Sequence, residues 1–138
     1  MRKAFLIFTA NLVALNVYAY DIQRSFDNLA EDVSSCAAFY MIVSAESEIN
    51  SQKQNDAKWA ELAIKYRTTS INAINLLRKI MVGKPEKFLD SKIELQIQQL
   101  IKIRSAEGDD RLMFLFADSC KAIMEDPDQR LKYWTDKK

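Results

Sequence analysis

The sequence predicts an all-α protein: an antiparallel four-helix bundle in up-down-up-down order with a short C-terminal helix, preceded by a cleaved signal peptide. Three observations carry this reading. Glycine and proline occur only twice each in 138 residues, at Gly83, Gly108, Pro85 and Pro127, so chain breakers are confined to a few joints. The stretches between the joints are rich in Ala, Leu, Ile, Lys, Glu and Gln, which cost little in a helix. Apolar residues recur at steps of three and four, and neither an Asn-Gly or Asp-Gly pair nor a sustained alternation marks a hairpin.

The N-terminus has the three parts of an export signal in order. Arg2 and Lys3 are basic, Ala4 to Val17 is apolar apart from Thr9, Asn11 and Asn16, and Val17-Tyr18-Ala19 is a small-x-small site with cleavage expected after Ala19. The apolar stretch falls short of the roughly 20 residues that span a bilayer. Residues 1–19 are therefore read as signal peptide and 20–138 as one helical domain, periplasmic or secreted, with no integral membrane segment. Loss of Arg2 and Lys3 leaves 18 of the 20 basic residues against 19 acidic ones, a net charge of −1. That balance argues against nucleic acid, whose binding needs a basic stripe. Cys36 and Cys120 both fall in the exported part, where a pair of thiols is expected to close into a disulfide.

The first helix is expected from just after Asp21 to about Asn50. From Phe26 through Leu29, Val33, Cys36 and Tyr40 to Val43 the steps alternate between three and four, the pattern of a single packing seam. Ser51 to Asn55 reads as a connection. Asp56 suits the N-cap of the second helix, whose stripe is Trp59, Leu62, Tyr66, Ala73, Leu76 and Ile80, widened by Ile64, Ile71, Ile74, Leu77 and Met81. Gly83 and Pro85 end it. The third helix covers roughly Glu86 to Ser105, with Leu89, Ile93, Ile97 and Leu100 in line and Phe88, Leu95, Ile101 and Ile103 beside them. Gly108-Asp109-Asp110 offers either a break or a kink. Leu112, Phe116, Cys120 and Ile123 share one face of the fourth helix. Asp126 and Pro127, as N-cap and first helical residue, start the terminal one. In an up-down-up-down order the first and fourth helices are neighbours, so Cys36 and Cys120 join them.

The chain contains no histidine, which removes the commonest general base, metal ligand and pH switch. Two distant cysteines cannot build a four-thiolate zinc site, and two isolated glycines cannot build a phosphate loop. Asp109/Asp110 and Glu46/Glu48 stand one and two residues apart, so on a helix neither pair converges. The expectation is a non-enzymatic protein with no catalytic, cofactor or metal residues and no small-molecule ligand identifiable from the sequence.

Two segments are candidates for an interaction surface. Met113, Phe114, Leu115 and Phe116 are consecutive and must wrap their helix, so part of the run lies off the core. Tyr133 and Trp134 stand in a lysine-bearing tail. Met113, Phe114, Leu115, Tyr133 and Trp134 are thus the residues expected to meet a protein partner or a second copy. In export, helicity and cysteine count the chain is similar to acid-activated periplasmic chaperones, although it is longer. The function expected is protein-protein interaction, with a chaperone-like or stress-protective activity as the alternative.

Overall fold

In the computed structural model five helices follow one another: α1 (Arg2–Gln54), α2 (Ala57–Ile80), α3 (Glu86–Glu107), α4 (Asp109–Glu125) and α5 (Pro127–Asp136), with no strand among the described residues. The structure describes the backbone of residues 2–137 and the side chains of residues 18–137; the expected signal peptide therefore lies almost wholly outside the described side chains. Among the described residues no helix is long and apolar enough to cross a membrane.

The first helix is longer than expected at both ends. It runs unbroken past the expected start at Asp21, since no glycine or proline interrupts it. Tyr18 to Asp21 are exposed, and packing begins at Ile22 and Ser25. At the other end Ser51 to Gln54 are helical rather than a connection. The turn is compressed into Asn55, in the left-handed region at φ 48°, and Asp56, whose carboxylate accepts from the Lys58 amide at 2.9 Å. The remaining joints are as short. Gly83 takes φ 84° two residues beyond the Met81 C-cap, and Gly108 alone separates α3 from α4 at φ 89° and ψ 171°. Gly108 thus breaks the helix rather than kinking it. Asp126 accepts from the Gln129 amide at 3.0 Å and Pro127 opens α5.

α1 is the inner helix, in contact with each of the other four. From Cys36 to Tyr40 every residue is buried, as are Leu29, Ala30, Val33, Ile42 and Val43. A helix apolar on all sides belongs inside, and the run Cys36 to Val43 is continuously apolar. The single seam expected is therefore too narrow, and Phe26, its first member, is exposed. Four buried serines sit on this inner helix without cost, because each hydroxyl donates to a carbonyl: Ser25 to Asp21, Ser34 to Glu31, Ser47 to Val43, and Ser44 across to Ala63 of α2.

Cross-helix pairs set the directions. Ser44–Ala63 and Tyr40–Tyr66 make α2 antiparallel to α1. Glu31–Lys92, Ser35–Gln96 and Glu46–Arg104 make α3 parallel to it. Phe39–Phe116 and Cys36–Cys120, continued by Asp32–Arg130, lay α4 and α5 back along it. α2 presents Ala63, Ser70, Ala73 and Leu77 inward, a row of mostly small residues that lets it approach α1 closely. Ile64 and Ile71, expected on its apolar face, lie outside. On α3 Leu89, Ile93 and Leu100 are buried as expected, but Phe88, Leu95 and Ile101 are exposed and Gln96 is buried in their stead.

Candidate functional site

Cys36 and Cys120 are joined in a disulfide between α1 and α4, with their Cα atoms 5.3 Å apart and both side chains buried. Each lies on the packing face of its own helix, beside the Phe39–Phe116 ring pair at 6.0 Å. The antiparallel run of α4 along α1 places the two Cα atoms at a distance that a disulfide spans.

The five residues expected to form an interaction surface do not converge. Met113, Phe114 and Leu115 are successive on α4, and successive helical side chains diverge by about 100°. With Leu112 and Cys120 turned to the core, Phe114 points to the opposite side, 78% exposed, where the Arg111 guanidinium covers its ring at 5.5 Å. Met113 faces the α2 flank and Leu115 the other. Tyr133 is exposed on α5. Trp134 turns inward instead: its indole N–H donates to Asp32 Oδ2 at 2.6 Å, and Arg130 Nε donates to the same oxygen at 2.7 Å. Trp134 thus works as an anchor for α5 on α1, with the Arg130 guanidinium stacked 5.1 Å from its ring. The hydrogen bond to Asp32 holds Arg130 in its charged form still more firmly than usual.

Polar latches join the other helices. Buried Gln96 of α3 donates to the Glu31 carboxylate and accepts from the Ser35 hydroxyl at 2.8 Å, and Lys92 pairs with the same Glu31. Arg104 bridges Glu46 of α1 and, at 2.9 Å, Asp109 of α4. The Arg104 guanidinium is the charge partner of the enclosed Glu46 Oε1. Burial pushes the Glu46 carboxyl above its usual range; Arg104 opposes that push and Asp109 adds to it. Nothing in the sequence marks Gln96, Asp32 or Glu46 for these contacts, because each partner stands on a distant helix.

Between α2 and α4 runs a groove of about 430 Å³. Phe39 and Tyr40 of α1 form its floor, Tyr66, Thr69 and Lys65 its α2 wall, and Met113, Ala117, Lys121, Met124, Asp118 and Glu125 its α4 side. The rings are in sequence, Phe116 on Phe39, Phe39 on Tyr40 at 5.2 Å and Tyr40 stacked on Tyr66 at 6.0 Å. Met113 is the one expected interaction residue that lines it. Among the described residues no group of three Cys, Asp or Glu side chains is placed to hold a metal ion. The chain matches no protein-family model, no curated protein and no solved structure at a significant level.

Proposed function

We propose that the chain is an exported, non-enzymatic helical protein that works by binding another protein, a partner or a second copy. The observation that supports it is the apolar surface left uncovered. Ile64 and Ile71 stand two turns apart on the outer side of α2, 66% and 51% exposed, and Phe88 and Leu95 repeat the same spacing on α3. Exposed apolar side chains aligned along a helix are the residue pattern of a partner-binding face. The reading takes the exported part, residues 20–138, as an antiparallel four-helix bundle with α5 as a strut. It takes residues 1–19 as removed on export to the periplasm, with support from the exposure of Tyr18 to Asp21 ahead of the first packed residue. The absence of histidine supports a non-enzymatic role.

Native mass spectrometry of residues 20–138, alone and after cross-linking in a periplasmic extract, tests the proposal. A dimer or a stoichiometric complex is expected, lost on the paired change Ile64→Lys and Ile71→Lys. A strict monomer that retains nothing contradicts it. A second reading, chaperone-like protection of unfolding clients, is favoured by apolar exposure spread over four helices rather than in one place: Met41 and Ile49 of α1, Ile64 and Ile71 of α2, Phe88 and Leu95 of α3, and Phe114 of α4. It expects suppressed aggregation of an unfolded client at neutral or low pH. Equal aggregation with and without the protein at both neutral and low pH removes it.

A further inference from the structure

We propose that the end of the molecule where α1 begins to pack, α2 turns into α3 and α5 finishes is a docking surface for an anionic lipid membrane. This goes beyond the protein-binding reading and does not depend on it. Two open clefts show that the three segments share one end. One joins Gln23 and Phe26 of α1 to Met81, Val82 and Lys84 of the α2–α3 turn. The other joins Arg24 and Asn28 of α1 to Trp134 and Lys137 of α5. Turns are normally built from Gly, Pro, Asn, Asp and Ser. The α2–α3 turn instead carries Val82, 82% exposed, between Met81 and Gly83. The Lys84 amide donates to the Met81 carbonyl at 3.1 Å, which closes the turn and leaves Val82 projecting with Lys84 beside it.

Around that apex stand side chains that suit a headgroup layer. Tyr20, Phe26 and Tyr133 are exposed. Lys137 lies 5.3 Å from the Tyr133 ring and 5.0 Å from that of Trp134, so rings and ammonium are presented together. Aromatic rings with basic groups beside them mark a membrane interface. Charge selects the lipid. Residues 18–28, 78–90 and 132–137 hold seven basic side chains against five acidic ones, whereas the opposite end, 44–67 and 102–118, holds seven basic against eight acidic. The sign therefore changes along the bundle, and the end with the apolar apex is the positive one. The α1–α5 cleft has the same bias, with Arg24 and Lys137 on its lining against Asp21 alone. So small an excess gives weak, reversible binding that needs both the apolar contact and an anionic leaflet. The chain direction agrees. The apolar stretch Ala4 to Val17 is the part of α1 that leads into this end, so a bilayer that takes up that stretch meets this end of the domain.

Flotation of the exported, disulfide-bonded protein with lipid vesicles is the test. Vesicles of phosphatidylcholine with phosphatidylglycerol are expected to carry the protein upward, vesicles of phosphatidylcholine alone are not, and high salt is expected to release it. Lys84→Gln combined with Lys137→Gln is expected to weaken binding roughly twentyfold, at about fivefold per cation. Val82→Asp is expected to abolish it. All three side chains are exposed, so helicity by circular dichroism and the urea midpoint are expected to stay unchanged. Ile64→Ser with Ile71→Ser, on the proposed partner face, is expected to leave lipid binding intact, which keeps the two readings apart. No flotation with the anionic vesicles, or equal flotation with both lipids, overturns the proposal. So does flotation that survives the lysine pair and Val82→Asp, as a retained Ala4 to Val17 stretch alone would give, or loss in the isoleucine pair.

Discussion

Asp32 anchors the C-terminal helix through a single oxygen. One carboxylate oxygen accepts from both Arg130 and Trp134, and these are the described hydrogen bonds that tie α5 to α1. Asp32→Ala leaves a half-buried guanidinium and an indole N–H without their acceptor. The expected cost is about 1–3 kcal/mol in urea unfolding, with amide exchange accelerated first in α5. Unchanged exchange in α5 contradicts that assignment. Glu46 makes a prediction of opposite character. Because burial raises its pKa, the folded state holds a proton that the unfolded chain releases, and stability falls as pH climbs from the ordinary carboxylate range through the raised folded value. Glu46→Gln removes that loss. Its urea midpoint is expected above the wild type at neutral pH and to merge with it in acid. A quarter of the side chain stays exposed, so the gain is under about 1 kcal/mol.

At the scale of elements, the joints were legible and the faces were not. Asp56, Asp126, Pro127, Gly83 and Gly108 act on their own neighbours, through a cap bond, a fixed φ or a positive φ, and all five mark helix ends in the structure. Gly108 gives a quantitative test. At φ 89° and ψ 171° it occupies a region open only to glycine, while a Cβ built there would meet nothing within 4 Å. The cost of Gly108→Ala is therefore conformational alone, about 1–3 kcal/mol by thermal unfolding. Which face a helix buries depends on where its neighbours lie. Ile64 and Ile71 continue the apolar pattern of α2 and are excluded because Ala63, Ser70 and Ala73 fit an inner helix more closely. Gln96 is buried in α3 for the converse reason, that Glu31 and Ser35 wait for it on α1.

In the molecule as a whole, α1 is a spine against which the other four helices pack, and the disulfide ties that spine to α4 across a separation of 84 residues. The continuously apolar run Cys36 to Val43 signalled an inner helix, a clue the heptad spacing obscured by offering one seam. The groove over Tyr40 had no sequence signal, since Tyr40, Tyr66 and Met113 meet only once the helices are assembled. Replacing both cysteines by alanine is expected to cost roughly 2–5 kcal/mol in denaturant unfolding, through the long loop released in the unfolded chain. The pair is expected to matter less to helicity than to stability, because Phe39 and Phe116 still stack beside it.

The intact mass of the protein taken from its own cells, measured before and after reduction with thiol alkylation, tests the proposed export most directly. The account predicts a chain that begins at Tyr20, two hydrogens lighter than its reduced form, with Cys36 and Cys120 labelled only after reduction. A full-length chain whose two thiols alkylate without reduction contradicts it.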